Sequence, residues 1–219
     1  MFNTLITCNT KIYDTKKDAK NKKQQILDAA EYEFLTNGYE ATKTTQIAER
    51  AGVTHTMLHY YFQTKENLFN KIFEDKIETL KAPIDALAQN KDIDLRDRIR
   101  EIIELHFDFL KTHPDLPHFL INEMRSNPQL IKILREKVGD TLRGTFATIQ
   151  TEIDEYVAKD IMKPISAFDL FLDIVSLNVF TFISLPIFRH IAYNEEKEQQ
   201  LIENRKKEII QTINYRILK

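Results

Sequence analysis

The stretch TTQIAERAGVTHTMLHYYFQTKENL, residues 44–68, has the pattern of two short helices that meet at a glycine corner and lead directly into a third helix. Ile47, Ala48 and Ala51 recur at one-turn spacing and give the first helix an inward apolar stripe. Gly52 can take the positive φ that a sharp turn between helices requires. This layout predicts a helix-turn-helix, whose second helix enters the major groove of DNA.

The second helix has two faces of different character. At about 100° per residue, Leu58, Tyr61 and Phe62 fall on one side. The opposite side and its borders carry groups that can contact base edges and phosphates: His55, Thr56, Met57, His59 and Tyr60. Threonines are expected to cap the helices, with Thr44 or Thr45 for the first, Thr54 for the second and Thr64 for the third.

Residues 23–69 resemble the DNA-binding domain of the tetracycline-repressor (TetR) family of bacterial transcription regulators. The resemblance is carried by ILDAAEYEFLTNGYEATKTTQIAERAGVTHTMLHYYFQTKENLF, in which the helix end at Phe34–Gly38, the IAERAGV turn and the YYFQTKENL junction occur in order. It implies an all-α fold, with an N-terminal three-helix helix-turn-helix domain followed by a helical domain that binds an effector and dimerises.

The resemblance also implies individual DNA contacts. Thr44 is expected to touch a phosphate, Thr45 to reach a base, and Lys65 to hold the DNA backbone from a helix start. The other expected contacts lie in the recognition helix and its cap: Thr54, His55, Thr56, Met57, His59, Tyr60 and Tyr61. Two positions depart from the usual pattern, because the family often has Lys, Arg or Gln at position 55 and Tyr at position 59.

His55 and His59 lie one helical turn apart, a spacing that also suits a zinc site. Thr56 replaces the glutamate that follows the first histidine in a metalloprotease helix, and no third ligand stands nearby in sequence. We therefore predict groove or phosphate contact for this pair, and no metal or other cofactor. An enzyme is not expected either, because no phosphate loop, metal cluster or nucleophile with its base is recognisable.

Composition favours an all-helical chain. The 219 residues include only four glycines and six prolines, and strict apolar/polar alternation is absent over any long run. The net charge of −2 is unevenly distributed, since residues 1–25 hold six lysines against two aspartates, a charge of +4, and the rest carries −6. This basic arm could neutralise DNA phosphates, or it could be a solvated leader.

The expected location is the cytoplasm. Cys8 is the single cysteine, so an internal disulfide is excluded and a reducing compartment is the natural setting. The first ten residues lack the basic start and long apolar centre of a secretory signal. The longest uncharged run, Ile174–Phe188, has 15 residues, which is short for a bilayer span. The sequence therefore predicts no membrane association.

Caps and breakers predict a flexible basic arm over residues 1–17, a DNA-binding domain over 18–80 with its motif at about 44–63, and an effector-binding and dimerisation domain over 81–219. Pro83 and the polar run 89–94 mark the transition. The other expected helices are Asp18–Asn37 with Gly38 as its C-terminal cap, Lys65 to about Leu80, Asp94–Lys111, Leu116–Met124, Pro128–Tyr156 with a weak point at Gly139, one from Ser166, and Glu195 to about Leu218.

The last two helices are more apolar than one small domain needs. The final helix places Ile202, Ile209, Ile213 and Ile217 on one side. Such a pair predicts a homodimer seam in which two helices of each subunit form a four-helix bundle. An intrachain core would use the same stripes. The dimer is favoured because a palindromic operator has two half-sites, which two DNA-binding domains about 34–36 Å apart would bind together.

The resemblance further implies an effector pocket in the second domain. Ten residues combine aromatic surface with a few polar groups, the composition of a pocket for a small apolar or aromatic molecule. These candidates are His106, Phe107, Phe119, Asn122, Met124, Phe146, Gln150, Phe171, Asn178 and Phe182. Asp173 and Asn178 interrupt an apolar helix, and either could hydrogen-bond an effector, face solvent or face the partner subunit.

These observations predict a ligand-responsive repressor with two conformational states. A bound molecule would shift the fourth helix and move the two DNA-binding domains of the dimer apart. DNA binding would then weaken to the extent that the molecule binds one of the two states more tightly than the other. Activation by a ligand and repression without a ligand are alternatives. A third alternative is a TetR-like helical protein that acts through protein–protein contacts without specific DNA reading.

Overall fold

The computed structural model describes residues 3–192 and 195–219, with side chains from residue 21 onward except at 126, 129, 140, 141, 192 and 195. Over these ranges the chain forms nine α-helices and no strand, which confirms the predicted all-α class. The helices are α1 Asn3–Ala41, α2 Thr44–Arg50, α3 His55–Phe62, α4 Lys65–Gln89, α5 Leu95–Thr112, α6 Leu116–Ser126, α7 Pro128–Ala158, α8 Ala167–Ala192 and α9 Glu195–Ile217.

Three local expectations differ from the observed helices. Residues 3–17, expected as a flexible arm, belong to α1, which is interrupted only at Gly38, where φ is 77°. Helix α4 continues through Pro83 to Gln89, and Pro83 lies on the exposed side of the helix, where its ring can be accommodated. Helix α7 passes Gly139 unbroken, since one helical glycine costs only about 1 kcal/mol.

The chain divides into two compact units, Met1–Asp75 and Lys76–Lys219, with the boundary inside α4. In the first unit an aromatic cluster joins α1 to α4. The ring of Phe69 lies 5.3 Å from that of Phe34 and 4.8 Å from that of Tyr39, both edge to face. Because Phe34 and Phe69 are fully buried, this cluster fixes α1 as the support for the helices that follow it.

In the second unit α8 packs against α5, α6, α7 and α9. The four isoleucines expected at a dimer seam are at most 7% exposed and belong to this intrachain core: Ile202, Ile209, Ile213 and Ile217. These four side chains therefore do not form the predicted seam, because the apolar stripe of α9 packs against α5 and α8 of the same chain.

The start of α8 is fixed by two side chains. The hydroxyl of Ser166 accepts a hydrogen bond from the backbone N–H of Asp169 (2.9 Å). Oε1 of Gln150 on α7 accepts from the N–H of Ala167 (2.7 Å). These two caps satisfy amides that the first turn of a helix leaves without partners.

By length and composition, helix α8 could cross a bilayer. The expectation drawn from the sequence did not include this, because it depended only on the 15-residue uncharged run within the helix. The segment Ala167–Ile191 has 25 residues and a mean hydropathy of 1.9, with 39% of the tested window buried. A core helix of a water-soluble protein has the same properties. The contacts of α8 with four neighbouring helices account for the buried part of its apolar surface within this unit.

A buried ion pair ties α5 to α7. The side chain of Arg98 is 2% exposed and donates to the carboxylate of Glu152 and to the carbonyl of Ala88 (2.7 Å). Removing one member of such a pair leaves an uncompensated charge in a low-dielectric interior.

We expect Glu152→Ala to lower the free energy of unfolding by about 3 kcal/mol, measured by urea titration followed by circular dichroism. Glu155→Ala, at an exposed position of the same helix, is the matched control and should change stability by less than about 0.5 kcal/mol. Equal changes in the free energy of unfolding for the two substitutions would show that the ion pair does not stabilise the fold.

Candidate nucleic-acid interface

The corner between α2 and α3 depends on Gly52, which has a φ of +62°. Its N–H donates to the carbonyl of Glu49 (3.1 Å), and the N–H of Val53 donates to that of Ala48 (3.0 Å), which closes the end of α2. A Cβ atom at position 52 would meet no atom within 4 Å. Glycine is therefore required by the left-handed backbone and not by lack of space.

Helix α2 is held against α1 by a charged contact as well as by its apolar face. Nε of Arg50 lies 2.5 Å from Oε1 of Glu33, a carboxylate that is almost fully buried and also accepts from Nδ2 of Asn37 (2.8 Å). The guanidinium of Arg50 also lies 3.7 Å from the ring centroid of Tyr32. The hydrogen bond to Glu33 is the main cause that raises the pKa of Arg50.

The caps differ in part from those expected. Oγ1 of Thr54 accepts from the N–H of Met57 (3.2 Å) and Oγ1 of Thr64 from that of Asn67 (3.0 Å), as predicted. The expectation that Thr44 or Thr45 caps α2 is wrong. Lys43 is the N-cap residue of α2, and its own N–H donates to Oε1 of Gln46 (3.2 Å). The Thr44 hydroxyl contacts His55 instead.

Helix α3 separates a buried face from an exposed one. Leu58 and Phe62 are buried, whereas the side chain of Tyr60 is 81% exposed. The other residues predicted to contact DNA are exposed or half-buried: Thr44, Thr45, Thr54, His55, Thr56, Met57, His59 and Tyr61. Their hydroxyl, imidazole and aromatic groups are therefore accessible from solvent, as a DNA contact requires.

The two histidines are oriented by the protein itself. Nε2 of His55 and Oγ1 of Thr44 share a hydrogen bond of 2.9 Å, which joins the starts of α2 and α3. Nδ1 of His59 donates to the carbonyl of Gln63 (2.7 Å), and the two rings meet edge to face at 4.5 Å. Within the described residues, no three His, Cys, Asp or Glu side chains cluster to hold a metal ion.

Lys65 has a different role from the expected one. Its Nζ donates to the carbonyls of Tyr39 (2.9 Å) and Thr42 (3.2 Å) and lies 4.4 Å from the ring centroid of Tyr39. The ammonium thus satisfies carbonyls at the end of α1 and ties α1 to the start of α4. In this geometry it is directed into the first unit and not toward a duplex.

Of two lysines near this surface, Lys43 was missed by the sequence reasoning, whereas Lys23 was counted only as one of the six lysines of the basic arm. Helix α3 carries no lysine or arginine, so positive charge must come from neighbouring segments. Lys43 is exposed immediately before α2, and Nζ of Lys23 on α1 lies 5.8 Å from the ring centroid of Phe62 on α3. The position of Lys43 next to a helix start was a usable signal, whereas the approach of Lys23 depends on tertiary packing.

The predicted effector residues separate into groups in the second unit. Four of them come together between α5 and α8: His106, Phe107, Asn178 and Phe182. Phe146 and Phe171 contact each other across α7 and α8, with ring centroids 5.3 Å apart.

The remaining candidates have other surroundings. Gln150 caps α8, Phe119 is buried, and Asn122 and Met124 are exposed on α6. Asp173 lies 3.9 Å from Nε of Arg216 on α9 and is partly exposed. The sequence therefore identified aromatic and polar residues of the second unit but did not show which of them contact one another.

A cleft of about 470 Å³ lies elsewhere in the second unit, between the turn after α4 and the end of α7. Arg98 and Glu152 line it together with Lys91, Tyr156 and Lys159. None of the predicted effector residues line this cleft. Hydrogen bonds from Arg96, chiefly, and from Tyr156 hold the pKa of Asp94 at its edge well below the usual range.

Comparison with known proteins agrees with this geometry. Residues 26–72, which contain the corner and all of α3, match the family model described as bacterial regulatory proteins, tetR family. The chain carries a tetR-family helix-turn-helix domain. The chain is similar to the fatty acid metabolism regulator protein of Bacillus subtilis, with 30% identity over 58% of this chain and 64% of that protein.

Other relatives show the same relationship. The HTH-type transcriptional regulator RutR of Escherichia coli is 33% identical over 54% of each chain. The aligned part spans less than two thirds of either relative. HlyIIR, a hemolysin II transcriptional regulator of known structure, shares the fold at a TM-score of 0.60 and 19% identity, covering 86% of this chain and 97% of that one.

The contacts of Lys65 generate a prediction about stability. Lys65→Met should lower the free energy of unfolding of the tetR-family domain by about 1–2 kcal/mol, because it leaves carbonyls of α1 without their charged donor. Hydrogen exchange of amides in α1, followed by mass spectrometry, reports this change. Lys71→Met is the control, since Lys71 pairs only with exposed Asp75 one turn away. Unchanged exchange in Lys65→Met would contradict the structural role.

Proposed function

We propose that this protein is a cytoplasmic, DNA-binding transcriptional regulator that binds a palindromic operator as a homodimer. The observation that carries the proposal is the exposed face of α3, centred on Tyr60, on a tetR-family domain whose buried face fixes its direction. The relatives named above are regulators, which supports the same class.

The proposed DNA contacts follow from the positions of the side chains. Thr45, Thr56 and Tyr60 would approach base edges, and the hydroxyl of Thr44, paired with His55, would face a phosphate. Met57, His59 and Tyr61 would border this contact, and the Thr54 hydroxyl remains the cap of α3. Lys43 would supply charge beside the groove. The Lys65 ammonium is left out of the contact because it is bound within the domain.

The proposed dimer uses the outer side of α8 with the outer side of α9. Buried isoleucines occupy the inner side of α9, but α8 keeps an exposed apolar stripe of its own: Phe168, Leu172, Phe180, Ile187 and Ile191. Several large apolar side chains exposed on one helix are typical of an association site. A two-fold axis would place two recognition helices at the spacing of successive major grooves, about 34–36 Å.

We further propose that an effector of apolar character binds in the second unit, in the region of His106, Phe107, Asn178 and Phe182. The protein would then be a repressor that releases DNA when the effector favours the conformation with displaced α4. Support comes from the aromatic and polar side chains gathered between α5 and α8.

Tyr60→Ala tests the DNA-reading face. We expect loss of the specific gel shift with DNA from upstream of the protein's own gene, because the variant removes the most exposed aromatic group of α3. The free energy of unfolding should stay within about 1 kcal/mol of the wild type. Ile121→Ala is the control, since Ile121 on α6 is also a large exposed side chain, at 47%, and lies outside the proposed DNA contact and dimer seam, so it should leave the shift unchanged.

Retention of the shift by Tyr60→Ala would contradict the proposed interface. Weak, uniform binding of all DNA by the wild-type protein would instead support a helical protein that acts through protein contacts.

The double substitution Phe180→Glu with Ile187→Glu tests the dimer. Charges placed in the apolar stripe should convert a dimer at micromolar concentration into a monomer, as measured by sedimentation equilibrium. Ile121→Glu, at an exposed apolar position of α6, is the control and should stay dimeric. A wild-type monomer, or a dimer that survives both charges, would overturn the proposed seam.

A further inference from the structure

Asn178 of α8 is fully buried, yet part of its hydrogen-bonding capacity is unused. Its Nδ2 donates to the carbonyl of Ile103 (3.2 Å) and to Nδ1 of His106 (3.1 Å) on α5. Its Oδ1 is buried as well and has no partner among the described protein groups. Buried polar atoms are normally paired, so an unpaired carbonyl oxygen at this place needs an explanation.

The other buried polar side chains nearby on α8 do not share this property. The hydroxyl of Thr181 donates to the carbonyl of Leu177 (2.9 Å), and that of Ser184 donates to the carbonyl of Phe180 (2.8 Å). Both are satisfied by their own helix. The unused acceptor is therefore a specific feature of Asn178 and not a general consequence of polar residues in α8.

His106 completes the polar group. Because its Nδ1 accepts from Asn178, the neutral ring carries its proton on Nε2. Burial lowers the pKa of His106 to about 4, so the ring is neutral at cytoplasmic pH. The pair thus combines an acceptor, Oδ1, with a donor, Nε2–H, and has no formal charge. Apolar side chains adjoin it, since Phe107 follows His106 on α5 and Phe182 lies one turn after Asn178 on α8, with their rings 5.1 Å apart.

We propose that the effector presents an uncharged hydrogen-bond donor, such as a hydroxyl or an amide N–H, to Oδ1 of Asn178, and carries an apolar body between α5 and α8. The inference rests on the effector-binding role proposed above. It excludes a carboxylate as the group that meets Asn178, because a carboxylate offers only acceptors to an oxygen that lacks a donor.

Two isomeric probes isolate the donor. 1-Octanol and di-n-butyl ether contain the same atoms, but only the alcohol has an O–H group. Calorimetric titration of the full chain at pH 7.5 should give a dissociation constant about tenfold lower for 1-octanol than for the ether, as expected for one buried hydrogen bond. Octanoate, the anionic probe, should bind more weakly than 1-octanol. Equal binding of the isomers, tighter binding of octanoate, or no binding of 1-octanol would overturn the proposal.

Substitutions assign the preference to Asn178. Asn178→Leu should reduce the ratio between alcohol and ether to about one, because Oδ1 is gone. Thr181→Val is the matched control: it removes a buried hydroxyl from the same helix, but one that is bonded within α8, so the preference should persist. A preference retained in Asn178→Leu would contradict the assignment.

A second readout avoids dependence on the folding of the variant. In nitrogen-15 NMR spectra of the wild-type protein, 1-octanol should shift the side-chain amide signals of Asn178 more than the ether does. Unmoved signals at saturation would place the alcohol elsewhere and overturn the proposal. These titrations contain no DNA, so the two proposals can fail separately. A failed operator shift together with a clear preference for the alcohol would refute the proposed DNA-binding function but not the proposed effector chemistry. The reverse pattern would refute only the ligand chemistry.

Discussion

The left-handed backbone at Gly52 is the constraint on which the rest of the first unit depends. It turns the chain sharply enough for α2 and α3 to bury Ile47 and Leu58 in one core. Because α3 has only eight residues, that burial determines which of its side chains remain outside. The Glu33–Arg50 contact then holds α2 on α1, so the exposed face is presented by a domain and not by an isolated helix.

The surface produced in this way has an unusual charge. Helix α3 offers hydroxyl, imidazole and phenol groups, and the ammonium of Lys65 is bound inside the domain. Phosphate attraction would therefore depend on flanking lysines such as Lys43, whereas selectivity would depend on the hydrogen-bonding and apolar groups of α3. The second unit follows a similar principle, since Asn178 and His106 form a neutral polar group within an apolar interior.

Much of the fold could be predicted from the sequence, because local signals determine it. The caps at Thr54, Thr64 and Ser166 and the corner at Gly52 each depend on residues within four positions of one another. What could not be predicted depends on tertiary contacts. The direction of Lys65 depends on carbonyls more than twenty residues away, and the isoleucines of α9 are buried by α5 and α8. The amphipathic pattern alone does not distinguish an intrachain partner from a second subunit.

Sequencing of the genomic DNA fragments retained by the purified full chain is the most direct measurement. It shows whether the protein selects a common DNA sequence and whether that sequence has the two-fold symmetry of a dimer site. The account predicts enrichment of a few sites that share an inverted repeat, with half-site centres one helical turn or a whole multiple of it apart. Retention of fragments without a common sequence, in proportion to their length and the salt concentration, would contradict it, because the exposed face of α3 would then carry no sequence information.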